Sequence, residues 1–354
     1  MFNTCREFIK LNKKVVTFGD IILELSPPAY QRIIQAESFE VSFAGAESDF
    51  AIDLALLGIP VDFVTRLPNN LLGDKCINYL RQFGVGVHKI LRAGDRIGIF
   101  FVEKGVGPRS SIVLYDKDNS AFATLKPGDI DWDNIFKDAF WFHVSGISPA
   151  TSQSVADVCI EALKKAKKLG LTVSCDLNYR AHLWRWHNKP GEVMSELIKY
   201  VDILISNEEE VERYFGIKAP GVDVYQGKIS ADSYRYVAEE LLKIFPNLKL
   251  IAFTLRTSIN ASYNIWEGAL YDGHKFYKSR RYEIFPIIDR IGAGDSFAAA
   301  LTYGLIYMSD LQQALEFAVA ASCLKHTIHG STNIVNIEDI MNILERGASG
   351  RIIR

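Results

Sequence analysis

The stretch Asp289-Arg-Ile-Gly-Ala-Gly-Asp295-Ser-Phe-Ala-Ala-Ala sets a flexible Gly-Ala-Gly turn and a carboxylate at the entrance of an apolar helix expected over about 295–308. The first amides of a helix have no intrahelical acceptor, so they can point at an anion. Gly292 and Gly294 let the backbone approach a phosphoryl group and adopt positive φ, and with Ala293 they form a nest of N–H donors. Asp295, in the first turn, could take a proton from a hydroxyl aimed at that nest. The same residues also read as an ordinary loop-to-helix entry with Asp as a cap. A dinucleotide fingerprint is excluded, because its third glycine would fall at Phe297. A Walker A loop is excluded because no Gly-Lys-Ser/Thr follows.

Such a turn needs a scaffold, and the chain supplies one. Val15 to Asp20 reads as a buried first strand. Segments 48–57 and 73–83 read as helices around a strand at 61–65; a helix at 152–169, strands at 172–176 and 201–205, a helix at 208–214 and a strand at 250–255 continue the alternation. Repeated strand-helix-strand units imply a mostly parallel sheet with helices on both faces. Segments 22–41 and 97–125 break the rhythm with strand-like alternation, turns at 105–108 and 117–119 and no helical pattern. They predict an antiparallel accessory sheet lying over the strand carboxyl ends as a lid. Residues 216–233 are polar with Gly and Pro and predict a surface loop.

Composition narrows the function. Lys plus Arg number 40 and Asp plus Glu 42, a formal net charge of −2, so no basic footprint for nucleic acid or an anionic membrane is evident. Cys5, Cys76, Cys159, Cys175 and Cys323 are scattered and odd in number, which argues against a disulfide framework or a zinc site. The N-terminus has no continuous apolar run of a secretory signal, and no segment reaches transmembrane length. The expectation is a soluble cytoplasmic protein.

Read in order, Phe43-Ala-Gly-Ala-Glu-Ser-Asp-Phe-Ala51, Asp176-Leu-Asn-Tyr-Arg180, Asn207-Glu-Glu-Glu210 and Gly292-Ala-Gly-Asp295 resemble the ribokinase-like sugar kinases over nearly the whole chain. Glu103-Lys-Gly105, the Asn-Tyr-Arg element with Leu183-Trp184, Thr254-Leu-Arg256 and Asp289-Arg290 are most similar to 2-keto-3-deoxygluconate kinases. The resemblance implies one three-layer α/β/α domain over 1–354 with a mostly parallel sheet and a small β-sheet lid inserted from about 22–41 and 97–125. It implies ATP and Mg²⁺ as cofactors, with a monovalent cation near Asp289 left open. Asp295 becomes the general base, and the amides of Gly292, Ala293 and Gly294 the anion hole. Asn207 and Glu210 organise magnesium and nucleotide phosphates, Glu210 through water. Without the resemblance they read as an N-cap and a solvated first turn.

Arg180, at the carboxyl edge of its strand, could clamp a carboxylate bidentately, which suits an acid sugar; the bland reading is a loop salt bridge. Gly45 and Ala46 are expected to meet sugar hydroxyls, and Arg109 and Lys117 to add positive charge from the lid or else to be solvated hairpin residues. Thr254, Arg256, His326 and Asn333 are expected around the nucleotide, with end-of-strand and helical packing as their structural alternatives. Four positions depart from the related kinases: Asp49 replaces an asparagine, Phe100 a tyrosine, Lys117 an arginine and Ser331 an aspartate. A carboxylate at Asp49 is an acceptor only and repels an acid substrate. The implied activity is phosphorylation of the terminal hydroxyl of 2-keto-3-deoxygluconate or a similar sugar acid. Competing readings are a kinase for a neutral sugar or nucleoside, a non-catalytic sugar-binding relative, and a nicotinamide dehydrogenase, the last disfavoured by Phe297. Bare lid strands predict a homodimer paired through the lid.

Overall fold

The computed structural model describes residues 13–187, 189–219 and 231–347. In chain order its elements are β1 (Lys14–Phe18), β2 (Ile22–Ser26), β3 (Glu40–Ala44), α1 (Ala46–Leu56), β4 (Val61–Val64), β5 (Arg66–Leu67), α2 (Leu71–Gln82), β6 (Leu91–Arg92), β7 (Ile99–Glu103) and β8 (Ile112–Asp116). Next come α3 (Trp132–Phe136), β9 (Ala139–Ser145), α4 (Ile147–Ala150), α5 (Gln153–Lys168), β10 (Thr172–Asp176), α6 (Pro190–Ile198), β11 (Ile203–Ser206), α7 (Glu208–Phe215) and α8 (Ala231–Ile244). The chain continues through β12 (Leu250–Asn260), β13 (Tyr263–Tyr271), β14 (Phe276–Lys278), β15 (Tyr282–Ile284), α9 (Ala293–Tyr307), α10 (Leu311–Lys325) and α11 (Ile337–Arg346).

Six strands form a parallel core in the order β4-β1-β9-β10-β11-β12, and β13, β14 and β15 extend it in antiparallel pairing. The parallel strands are nearly continuous apolar runs because both faces are covered. One face packs Phe50 and Leu54 of α1, Leu80 of α2, Phe297 and Leu301 of α9 and Phe317 of α10. The other packs Val155 and Leu163 of α5, Met194 of α6 and Tyr234 and Leu241 of α8. Helix α9 is buried nearly all round, so its sequence is apolar on every side. Helix α5 is amphipathic, capped by the Ser152 hydroxyl on the Val155 amide at 3.2 Å, and carries Lys165, Lys167 and Lys168 at its negative end.

A separate four-stranded sheet, β3-β2-β7-β8, lies over the carboxyl edge. It corrects one expectation: β2–β3 and β7–β8 are antiparallel, but β2 and β7 run parallel, so the lid is mixed. The segment between β2 and β3 holds only one 3₁₀ turn, Ile33–Gln35, and a second, Phe122–Thr124, follows β8. The expected turn at 117–119 is present, with Asn119 at φ 55. Of the loop expected over 216–233, residues 220–230 lie outside the described residues. Ala231 already belongs to α8, so the loop ends earlier than expected. Strand β12 runs past 255 to Asn260, because its polar half pairs with β13 rather than ending in a loop.

Candidate active site

The loop that enters α9 is shaped by two contacts. The Asp289 carboxylate accepts from the Ile291 amide at 3.1 Å, turning the chain. Gly292 is the N-cap of α9 in the left-handed region, φ 81 and ψ −2. A Cβ there would stand 1.7 Å from the carbonyl oxygen of Ser331, so both conformation and space demand glycine. The Ala293 amide makes only a long bond of 3.5 Å to the Arg290 carbonyl. The amides of Gly292 and Gly294 meet no protein acceptor among the described residues. They face a cleft of about 470 Å³ that Asp295 also lines. Asp295 is half-buried, and burial together with the Glu47 carboxylate pushes its carboxyl up to about 7 against the pull of Arg180, Lys325 and its own amide.

Two further carboxylates stand at strand carboxyl ends. Asn207 caps α7 by accepting from the Glu210 amide at 3.0 Å, while Glu210 accepts from the Asn207 amide at 3.3 Å and the Ser206 hydroxyl at 3.2 Å. The other Glu210 oxygen accepts from the Tyr179 amide at 3.3 Å, which ties the ends of β10 and β11 together. Both readings of this pair are therefore satisfied at once: a capping box that also lines the cleft. Burial raises the Glu210 carboxyl and Arg180 opposes it. Asp176, absent from the expected site, lines the same cleft and is raised well above the carboxylate range by burial and by Glu210 and Asp295. Its sequence signal was its place at the end of a buried strand, followed by Asn178 at φ 38. Arg180 lies exposed in the cleft, donating to the Tyr179 carbonyl at 2.9 Å. Desolvation by the cleft walls lowers its pKa, but Tyr115, Glu210, Asp295 and Asp176 more than compensate, and the net direction is up.

The lid side brings in Asp20, Phe100, Tyr115 and Lys117. Lys117 and Asp20 form a buried ion pair at 3.0 Å that joins lid to body. Phe100 stacks on Tyr115 with ring centroids 6.1 Å apart. Gly45 sits in extended backbone where a Cβ would come within 2.1 Å of the Asp20 carbonyl oxygen, so the close approach rather than φ requires glycine. Ala46 lines the cleft beside it. Asp49 accepts from the Gly45 amide and the Thr332 hydroxyl, each at 3.4 Å, and is raised well above its usual range by burial and by Asp295 and Asp53.

Thr254, Arg256 and His326 line the far end. His326 Nδ1 lies 2.8 Å from the Ser322 carbonyl, which makes it the protonated nitrogen, and burial holds the ring neutral at about 4. Two expected residues stand elsewhere. Arg109 is spent on Glu103 at 2.9 Å and the Tyr30 carbonyl at 2.6 Å within the lid. Asn333 is buried behind α9, donating to the Ser296 hydroxyl at 2.6 Å and the Ala321 carbonyl at 2.9 Å. Neither lines the cleft, because each side chain satisfies neighbouring backbone or carboxylate groups instead. Among the described residues no three His, Cys, Asp or Glu side chains converge as a metal cage. Asp176 and Glu210 are two carboxylates of the cleft that could hold an ion together with water and phosphate.

Comparison with known proteins identifies the lineage. The sequence profile of the pfkB family carbohydrate kinases matches residues 12–238 and 267–338. A 2-dehydro-3-deoxygalactonokinase of Haloferax volcanii is 30% identical over 341 residues, covering 96% of this chain and 99% of the relative. The crystal structure of 2-dehydro-3-deoxygluconokinase from Thermotoga maritima superimposes with a TM-score of 0.88 at 46% identity, over 94% of this chain and 99% of that one. A putative ribokinase II of E. coli in complex with ATP and Mg²⁺ shares the fold, with a TM-score of 0.76 at 23% identity over 94% of this chain and 99% of that one. The chain belongs to the pfkB family of carbohydrate kinases.

Proposed function

We propose that this pfkB-family kinase transfers the γ-phosphoryl group of ATP to the terminal primary hydroxyl of 2-dehydro-3-deoxygluconate or a closely similar 2-keto-3-deoxy sugar acid. The observation that carries the reading is the half-buried Asp295 carboxyl beside the unpaired amides of Gly292 and Gly294, in one cleft with Arg180. The names of the Haloferax and Thermotoga relatives support the substrate class.

In this reading Asp295 removes the hydroxyl proton as the new O–P bond forms, and the β–γ bond breaks with its electrons passing to ADP. A carboxyl held near 7 is strong enough as a base, yet about half of it is still ionised at neutral pH. The nest amides hold the charge that spreads over the migrating phosphoryl oxygens. Arg180 grips the sugar carboxylate, and its charge keeps Asp295 from rising further. Gly45, Ala46, Asp49, Phe100 and Lys117 form the sugar wall, and Asn207, Thr254, Arg256 and His326 the nucleotide wall. Glu210 and Asp176 fit a hydrated Mg²⁺, which when bound supplies neutralisation of the β and γ phosphate charge. Closure of the lid excludes water that would hydrolyse ATP.

The protein is expected to act in the cytoplasm; among the described residues no helix is long and apolar enough to cross a membrane. The outer strand of the lid exposes Ile112 at 40% and Leu114 at 51%, surface that a second copy would cover. Sedimentation is expected to give a dimer, and a monomer at working concentration would contradict that pairing.

Asp49 favours a second reading, since an acidic side chain on the sugar wall, whenever it is ionised, suits a neutral sugar better than an acid. The deciding assay supplies Mg-ATP with keto-deoxy sugar acids, fructose and ribose, for wild type and Asp295→Asn. The acid is expected to be preferred, with Asp295→Asn binding both ligands and turning over about 10²–10⁴-fold more slowly. Preference for a neutral sugar, or unchanged turnover in Asp295→Asn, would overturn the reading.

A further inference from the structure

The nest rests on a second layer of the protein that the proposed chemistry does not touch. Lys325, the last residue of α10, is fully buried, an unusual place for an ammonium. Its Nζ donates to two main-chain carbonyls, those of Asp289 at 3.4 Å and Ile328 at 3.2 Å. One carbonyl belongs to the loop that becomes the nest. The other belongs to the turn leading to Ser331, whose carbonyl Gly292 packs against. The two loops are also joined by the Ile288 amide on the His326 carbonyl at 2.8 Å, and the Ser322 hydroxyl reaches the Ala293 carbonyl at 2.6 Å. Meanwhile the Asp289 carboxylate meets a second ammonium, Lys104 from the end of β7, at 3.2 Å. The Asp289 carbonyl thus faces the Lys325 ammonium, and its carboxylate is neutralised by the Lys104 ammonium although Oδ2 accepts no hydrogen bond among the described residues.

This bears on the monovalent cation that the resemblance left open near Asp289. A potassium-sized ion brings its own positive charge, and two ammonium groups already stand at the carbonyl and carboxylate of Asp289, so the residues present do not fit such an ion. We propose that Lys325 is the built-in monovalent cation of this kinase: its ammonium bridges the two loops that shape the anion nest, and turnover does not depend on added potassium. Lys325 acts as a positioning residue, one layer behind the amides. The site tolerates a buried charge for two reasons. The C-terminus of α10 favours a cation. Burial lowers the Lys325 pKa, and the carboxylates of Asp289, Asp53, Asp49 and Glu24 oppose that shift. The ammonium also lowers Asp295, so it acts on the proposed base through space as well as through the loop.

The inference rests on the kinase reading, and the test separates the two. Wild type and Lys325→Ser are assayed with Mg-ATP and the sugar acid in potassium, ammonium or tetramethylammonium salt at constant ionic strength. ADP is measured by chromatography, so no coupling enzyme adds its own salt response. Wild-type kcat is expected to agree within about threefold across the three salts, whereas Lys325→Ser loses about tenfold or more in tetramethylammonium and recovers most of it in potassium or ammonium. Melting without substrate gives a second reading: potassium is expected to raise the Tm of Lys325→Ser and to leave wild type unchanged. A wild-type rate or Tm that needs potassium would overturn the inference. So would a Lys325→Ser rate equal to wild type in tetramethylammonium, or a loss that neither cation reverses, which would leave the lysine a packing group. Should Lys325→Ser fail to fold, the wild-type salt exchange decides alone. Absence of turnover in every salt would instead contradict the kinase reading, while the wild-type melting comparison still tests the inference.

Discussion

The nest wall, Gly292 to Asp295, and the lid wall, β2, β3, β7 and β8, line the same cleft but are held by different means. The nest is backbone geometry: a left-handed glycine, the carbonyl of Ser331 behind it and unpaired amides in front. The lid wall, together with the start of α1 beneath it, is side-chain chemistry: the Asp20–Lys117 ion pair, the Phe100–Tyr115 stack and, from α1, a buried Asp49. A wall made of backbone leaves few substitutions open, so its sequence is short and recognisable. A wall made of side chains can change partners without changing the fold, and three of the four departures from related kinases, Asp49, Phe100 and Lys117, line it. We propose that the transfer machinery and the choice of sugar are therefore separable in this molecule.

Four substitutions sharpen or break that separation. Lys117→Met leaves the buried Asp20 carboxylate alone where lid meets body, and unfolding free energy is expected to fall by about 3–5 kcal/mol in a denaturant titration. A loss within error would mean that the lid does not hang on this pair. Gly292→Ala forces a Cβ into the Ser331 carbonyl and displaces the nest; kcat is expected to drop about 10²–10³-fold for every sugar tested. A loss confined to one sugar would merge the two walls. Arg180→Ala should lower kcat/KM for the sugar acid by about tenfold to a hundredfold, and that for a neutral sugar by less than about twofold. Equal losses would make Arg180 part of the transfer machinery alone. Asp49→Asn restores the amide of the related kinases and is expected to raise kcat/KM for the acid by only a few-fold, about 2–5, because burial already favours the neutral carboxyl. A fall would show that the carboxyl itself contacts the sugar.

The same division explains what could be read from the residues. Gly292-Ala-Gly-Asp295 and Asn207 to Glu210 are local: spacing offers helix caps and free amides there, the family resemblance chooses the functional reading, and both lie where the strand-to-helix alternation predicts. The parallel body was legible because its strands are apolar runs with helices between them. The lid's mixed pairing was not, since alternation along β2 and β7 is the same for parallel and antiparallel neighbours. Asp176 stands within a motif of the family resemblance but is not legible as a site residue, because a carboxylate at a strand end gains meaning only when Glu210 and Asp295 converge on it from other segments. Arg109 and Asn333 were expected at the ligands, and the structure gives each of them protein partners instead. Lys325 is a lysine inside an apolar helix, and nothing in the local pattern tells which carbonyls its ammonium meets.

The most direct test of the account is the pH dependence of wild-type kcat/KM for the sugar acid at saturating Mg-ATP, compared with Arg180→Ala. Asp295 must be ionised to accept the proton, and its carboxyl is held at about 7, so activity is expected to be lost as pH falls through about 7 and to level off above it. Arg180 lowers that value, so the midpoint should move to higher pH in Arg180→Ala. A profile flat across neutral pH, or a midpoint that stays put or falls when Arg180 is removed, would contradict Asp295 as the base.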